Sequence, residues 1–447
     1  MISNLKSNSF IKKNYLFLLI FFFIFSRFII YNFLEIKIND PNYGYHLLDI
    51  SLLQQDLFNS LMYLHSQPLL WNLFNGIIVK LFDADISSIS IFFNIYHYCL
   101  SILIIFIFIK ISREFYVSKK IELFIFFFIT LNPSIIFYEN IFSYSHTTLF
   151  FFTLIVYNII RFFKTNDLKY ETYIYLNILT LSLIWVLFQP ILLLIVFITI
   201  RFFKKSSKKN FIIFLLIFIV SLSPMIKNKL IFGVLTASSK SGQDFGTVFY
   251  DWRQYCGDPN KDLVFFTKEY FKEFQKSFKH PSLIGEKSHY NNLGIIILGR
   301  DCFKSTLNRI FENPYIYLDG RVRAFLASHG KFSFDYVYPN PIGWNKYYQN
   351  ISKLYDNKKI KLIRQILVFA LKMYIYFTIL FFIFFYKNNN ELTNGLKISS
   401  IPYIYLLSIG TLAAGTEQER ILYTGFVVNI LFFIILLKKS KIRFYKL

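Results

Sequence analysis

In an apolar chain, the few polar side chains kept at the turns serve either structure or chemistry. Here they are Asp40, His46, Asp49, His65, Gln67, Glu139, His146, Gln189, Glu417 and Arg420. A carboxylate such as Asp40, Asp49 or Glu139 can take a proton from a hydroxyl as a general base. Arg420 can hold negative charge as it develops on a leaving group. Asp40 with Glu139 could also hold a divalent cation, although no ligand cluster requires one. Each residue has a plainer alternative. Asp49 precedes Ile50-Ser51 as an N-cap would. Asp56 fits a solvated helix face, and Glu139 a simple turn acid. His65 and Gln67 could cap a helix opening at Pro68, and Arg420 could be an interfacial anchor paired with Glu417.

The elements that position these residues follow from composition. Of 447 residues, 55% are hydrophobic, 57 are Phe and only 17% are charged, against about 25% charged in soluble domains. That much apolar surface cannot be buried in a water-soluble fold, so the solvent is lipid. The expected fold class is a polytopic α-helical membrane protein. Lys and Arg exceed Asp and Glu by 49 − 26 = 23. The basic residues form short clusters between apolar runs, which marks cytoplasmic loops rather than nucleic-acid binding. The first apolar run, from Tyr15 to about Leu34, is too long for a signal-peptide core and lacks a small-residue cleavage site. It reads as a retained first span with a cytoplasmic N-terminus.

Basic clusters lie at Lys110–Lys120, Arg161–Lys169, Arg201–Lys209, Lys387–Lys397 and Lys438–Lys446. From Lys120 to Arg161 is about 40 residues, or roughly 60 Å as helix, enough for two spans and an outer turn. The same arithmetic applies from Lys169 to Arg201 and from Lys397 to Lys438. The turns fall at Asn132-Pro133 to Glu139-Asn140, at Gln189-Pro190, and at Gly415 to Arg420. The expected spans number about ten: 15–34, 87–110, 120–138, 144–162, 170–187, 190–203, 210–226, 361–386, 398–415 and 420–437, with both termini cytoplasmic. The expected organisation is a membrane module over 1–226 with a first outer loop at 35–86, a large extracytoplasmic loop domain of mixed structure over 227–360, and C-terminal helices over 361–447.

Within the first outer loop, Ile50, Leu53, Leu57, Leu61 and Leu64 recur at helical spacing, which predicts an amphipathic helix lying in the interface. The stretch from Pro68 to Phe82 is too short to span and predicts a second juxtamembrane helix. Cys256 and Cys302 fall in the large loop and could pair there, since an extracytoplasmic compartment permits disulfides. All the polar turns then converge on the outer membrane boundary, where ionisable groups are costly and tend to be functional.

Four elements carry a family resemblance. His65-Ser66-Gln67-Pro68-Leu69-Leu70-Trp71-Asn72 resembles the H-x-Q-P-P-L-x-N element of bacterial GT-C glycosyltransferases of the protein-mannosyltransferase-like group, with Leu69 in place of the second proline. Asn132-Pro133, Tyr138-Glu139 and Tyr144 resemble that group's second outer turn. Pro224, Asn228, Phe232-Gly233, Ser238-Ser239 and Gly242 resemble its exit into the large loop, and Glu417-x-x-Arg420 its late E-x-x-R turn. Their order and spacing agree over nearly the whole chain. The resemblance implies a GT-C-like fold and sugar transfer with inversion. The donor would be polyprenyl-phosphate-linked, and the acceptor a glycan, lipid or protein. Transfer would take place at the extracytoplasmic face of a bacterial plasma membrane. It also implies a first-loop acid as base, for which Asp40 stands first and Asp49 second. Glu139 would orient the acceptor or hold a metal, His65 and Gln67 would line the donor site, and Arg420 would meet the donor phosphate. Inverting transfer needs one base and no covalent intermediate.

Two other classes fit parts of the pattern. A polysaccharide polymerase or O-antigen ligase also has many spans and a large outer loop, but leans on Arg and His in that loop rather than on an acid after the first span; Arg253, Arg321 and Arg323 of this loop are alternative phosphate partners or plain surface charges. A lipid-linked sugar transporter or flippase predicts inverted repeats and ionisable residues at the bilayer midplane; no repeat stands out, and charges are expected only at span ends.

Overall fold

Lipid cannot hydrogen-bond an exposed backbone, so a chain this apolar is confined to helices or a closed barrel. The computed structural model describes residues 9–33, 47–204, 207–249, 251–284, 291–329, 373, 376, 391–413 and 418–432, and every regular element among them is a helix. In chain order these are α1 Ser9–Asn32, α2 Ile50–Gln55, α3 Leu57–Met62, α4 Leu69–Leu81, α5 Ile86–Glu114, α6 Lys119–Thr130, α7 Pro133–Glu139, α8 Ser145–Thr165, α9 Leu168–Ile184 and α10 Pro190–Phe203. They continue with α11 Lys208–Ser221, α12 Ser223–Phe232, α13 Ser241–Gly246, α14 Trp252–Cys256, α15 Pro259–Phe274, α16 Pro281–Ile284, α17 Gly294–Glu312, α18 Pro314–His329, α19 Glu391–Ala413 and α20 Gln418–Thr424.

Among the described residues, three helices are long and apolar enough to cross a membrane: Ile86–Glu114, Ser145–Thr165 and the run Lys208–Phe232. Phe17–Asn32, Leu69–Leu81 and Pro190–Phe203 are shorter apolar helices. Exposed Phe21, Phe25 and Phe28 on α1, and Ile212, Leu216 and Ile219 on α11, are surfaces suited to lipid rather than to water. The expected span 361–386 and the C-terminal basic cluster lie outside the described residues. One apolar core runs through α1, α2, α4 to α11, α19 and α20.

Capping chemistry sets the breaks. Asp85 opens α5 by accepting from the Ser88 N–H at 2.9 Å. Asn166, left-handed at φ 57°, closes α8, and Asp167 caps α9, so the turn between them is minimal. The expected span 120–138 is not one helix. α6 stops at Thr130, and α7 restarts at Pro133 with Asn132 accepting from Ser134 and Ile135, because proline lacks the N–H to continue a helix and turns the preceding residue extended. Pro224 likewise sits in the first turn of α12, just after α11 ends at Ser221.

The juxtamembrane elements form with one change. The expected amphipathic helix is two short helices broken at Asp56, whose carboxylate caps the second; Ile50, Leu53 and Leu64 are buried as the spacing requires. α4 matches the second expected helix.

The large loop departs from its expected mixed structure: its described residues contain helices and no strand. Phe232, Tyr270, Leu283, Leu293, Ile296 and Ile297 form a second, smaller core where α15 crosses α17. α13 lies against α17 because Gly242 and Gly299 meet back to back; a Cβ on Gly242 would come within 1.9 Å of the Gly299 carbonyl oxygen. The same approach brings Cys302 beside Cys256, and the two are disulfide-bonded with Cα atoms 4.4 Å apart. Cys99 is a free, exposed thiol on α5.

The bridge closes a 46-residue separation, so replacing both cysteines by serine is expected to destabilise the α13–α17 unit by about 2–4 kcal/mol. Limited proteolysis of the reconstituted protein would show faster cleavage within 241–312; an unchanged rate would mean that glycine packing alone holds the unit.

Candidate functional site

Three polar clusters lie where the turns expected to face outward meet. The first is centred on Glu139, at the end of α7 and fully buried. Arg27 of α1 donates to both its oxygens, Nε at 2.7 Å and Nη2 at 2.8 Å, and Ser101 of α5 donates a further hydrogen bond to Oε1. Arg27 also donates to the Thr130 carbonyl at 2.6 Å, which satisfies the end of α6. Ser101 contacts His146 Nε2 at 2.9 Å, and His146 Nδ1 lies 2.6 Å from the Tyr423 hydroxyl. His97 Nδ1 lies 2.9 Å from the Glu139 carbonyl. This network joins α1, α5, α7, α8 and α20. Both Glu139 oxygens are taken up by protein donors and a guanidinium stands against them, so this carboxylate does not fit a role as a cation ligand. Among the described residues no group of three His, Cys, Asp or Glu could hold a metal ion.

The second cluster is built around His65 and Gln67, both buried between α3 and α4. His65 Nδ1 lies 2.6 Å from Ser239 Oγ, and its backbone N–H donates to Asn291 Oδ1 at 2.8 Å. The Ser239 N–H returns a bond to the His65 carbonyl at 2.9 Å, and the Ser238 hydroxyl donates to the Ser66 carbonyl. Lys227 of α12 donates to the Leu64 carbonyl, and Asn291 Nδ2 to that of Tyr63 at 2.9 Å. The first-loop element is thus clamped by the exit from α12, joining two of the four sequence elements. His65 Nε2 is buried without a hydrogen-bond partner, and the centroid of its ring lies 4.8 Å from that of Phe232.

The third cluster surrounds Arg420 at the start of α20. Its Nη1 donates to the Tyr144 hydroxyl at 2.9 Å, and its guanidinium lies 5.2 Å from the Tyr144 ring and 5.5 Å from that of Trp185. The Tyr144 ring in turn lies 6.2 Å from Trp71 of α4 and 5.8 Å from Trp185. Tyr144 therefore connects the His65–Asn72 element, the second outer turn and the late turn.

Not every expected site residue joins these clusters. Asp40, His46 and Glu417 lie outside the described residues. Asp49 serves as the N-cap of α2, accepting from the Ser51 N–H at 2.8 Å, and Gln189 is exposed ahead of α10. Leu48, next to Asp49, donates its N–H to Asn72 Oδ1 at 2.8 Å, so the return of the first loop is fixed to α4. Ionisable groups are not confined to helix ends, although charges are expected only there. Arg27, five residues before the end of α1, and His97, inside α5, are central to the first cluster. A single arginine within a Phe/Ile run was the readable signal for it. Ser101, Tyr423 and Asn291 carried none, being ordinary residues until the fold brings them in. Set against family models, characterised proteins and solved structures, the chain matches none.

Burial first, and the Lys227 charge second, push the His65 imidazole down to about 3 from its ordinary 6.5. Between these values the unfolded chain binds a proton that the folded chain refuses. This contribution to stability is therefore complete above pH 6.5 and declines as pH falls towards 3, by up to about 1.4 kcal/mol per pH unit. In detergent, the melting temperature should drop more steeply from pH 6.5 to 4.5 in wild type than in His65→Asn, whose side-chain oxygen can still meet Ser239. Equal slopes would mean that His65 does not titrate as its burial requires.

Proposed function

We propose that this chain is a GT-C-like membrane glycosyltransferase of about ten spans with both termini cytoplasmic. It moves a sugar from a polyprenyl-phosphate-linked donor to a hydroxyl of a glycan, lipid or protein acceptor at the extracytoplasmic face of a bacterial plasma membrane. The observation that carries this reading is the meeting of elements distant in sequence: His65 on Ser239, Trp71 on Tyr144, and Tyr144 on Arg420. The Cys256–Cys302 bridge supports an oxidising compartment for the large loop.

In this reading, Asp40 accepts the proton of the acceptor hydroxyl as its oxygen attacks the anomeric carbon from the face opposite the phosphate. The bond from that carbon to the phosphate oxygen breaks, and the polyprenyl phosphate leaves with its negative charge stabilised by Arg420. His65 and Gln67 shape the donor side through the clamp. Glu139 acts as a positioning residue that sets the second outer turn through Arg27. No step requires a cation.

One observation favours the polymerase or ligase reading. Arg321 of α18 is only 4% exposed. Its guanidinium donates to the Val248 carbonyl and, at 3.5 Å, to the Thr411 carbonyl near the end of α19. Its Nε has no hydrogen-bond partner, and it pairs with no carboxylate among the described residues. The alternative therefore rests on Arg321, as the proposal rests on Asp40.

Sugar transfer or hydrolysis from a panel of polyprenyl-phosphate sugars, in nanodiscs, separates them. Asp40→Asn should lose at least about 100-fold in turnover with donor binding kept, and Asp49→Asn should lose little because asparagine also caps helices. Full turnover in Asp40→Asn with loss in Arg321→Gln would overturn the proposal in favour of the alternative.

A further inference from the structure

A groove of about 440 Å³ lies between α3 and the outer end of α12, bordered by Phe58, Asn59, Met62, Ile231, Lys276 and Phe278. Its apolar wall faces outward: Phe58 is 72% and Met62 41% exposed. These residues are four apart on one face of α3, while Leu57 and Leu61 pack on the main core. Such a face is unfavourable in water and suited to acyl chains. Its position agrees, because α12 completes the run Lys208–Phe232, which is apolar enough to cross a membrane, and the groove sits at the end of that run.

The charges beside the groove are positive and lack acidic partners. Lys276 donates to the Ile231 carbonyl at 3.0 Å. Lys227, one helical turn before Ile231 on α12, donates to the Leu64 carbonyl. Neither meets a carboxylate among the described residues. The acid on the neighbouring helix, Asp56, is faced by His280 at 3.5 Å and by Asn59 at 2.9 Å. Two ammonium groups bonded only to backbone carbonyls, next to an outward apolar wall, are complementary to a phosphate carrying hydrocarbon chains.

We propose that this groove binds an anionic phospholipid, with its phosphate at Lys276 and Lys227 and its acyl chains along Phe58, Met62 and Ile231. Apolar side chains stand on both bordering elements, Phe58 and Met62 on α3, and Ile231 and Phe278 on the other side, which suits a two-chain lipid. This inference does not depend on the glycosyltransferase reading.

The test is photolabelling of the full-length protein in nanodiscs by diazirine-bearing phosphatidylglycerol or phosphatidylcholine, with the labelled peptides mapped. Phosphatidylglycerol should label 57–63 and 276–278 at least about fivefold more than phosphatidylcholine, and Lys276→Glu should lower that labelling about fivefold. Lys276 is exposed, so Lys276→Glu should keep the wild-type melting temperature. Phe58→Ser, which removes part of the wall without altering charge, should also reduce labelling. Equal labelling by the two lipids, or no change in Lys276→Glu, would overturn the proposal. Displacement of the probe by a stoichiometric polyprenyl phosphate, with no displacement by excess unlabelled phosphatidylglycerol, would also overturn it and assign the groove to a single-chain lipid phosphate.

Discussion

Two opposite charges sealed among phenylalanines and isoleucines hold together the half of this protein that carries the Glu139 and Tyr144 turn. Arg27 and Glu139 are 2% and 0% exposed, and taking such ions from water costs several kcal/mol each unless their hydrogen bonds are met. They are met here by the two-pronged guanidinium contact, by Ser101 and by the Thr130 carbonyl. Because these partners come from α1, α5, α6 and α7, those helices can meet in only one register. Glu139 ends α7, so the pair also fixes where the chain turns into Tyr144 and α8. Tyr144 then contacts Arg420, Trp71 and Trp185. The proposed site thus takes its geometry from a contact that does no chemistry itself.

The opposite half, expected from its basic clusters to face the cytoplasm, follows the same rule with different residues. Glu171 is buried and accepts from Tyr175 at 2.7 Å and Asn210 at 2.6 Å, with Arg201 at 3.3 Å. Glu114 takes Arg161 at 2.6 Å and Lys164 at 2.5 Å. The clustered basic residues therefore also tie helix ends together. Between the two polar layers lies an almost uninterrupted aromatic and aliphatic core. The large loop adds a third unit, docked where Tyr317 donates to the Leu412 carbonyl at 2.6 Å near the end of α19. That contact places α18 beside the end of α19.

Much of this was legible because lipid restricts the choices. Apolar run lengths located α5, α8 and α10, and the dipeptides Asn132-Pro133 and Gln189-Pro190 located their breaks, since proline's missing N–H acts locally whatever surrounds it. The capping role of Asp49 and the pairing of Cys256 with Cys302 were likewise readable as alternatives. The Arg27–Glu139 pair was not, because the residues are 112 apart in sequence and a lone arginine does not name its partner. That the described residues of the loop are helical without strands was missed for a related reason. α15 mixes charges with aromatic residues, and its apolar face shows itself only where α17 covers it. Gly242 and Gly299 look like loop residues in the sequence, and only the backbone contact explains them.

The most direct measurement is a double-mutant cycle on the central pair, read as reversible unfolding in mixed micelles. Arg27→Met and Glu139→Leu should each cost about 3–5 kcal/mol, because each leaves a buried charge unpaired. The double variant should cost less than either, because two apolar side chains suit the surrounding core. Losses that simply add in the double variant would show that the two residues act independently and would contradict the claim that their pairing sets the outer turns.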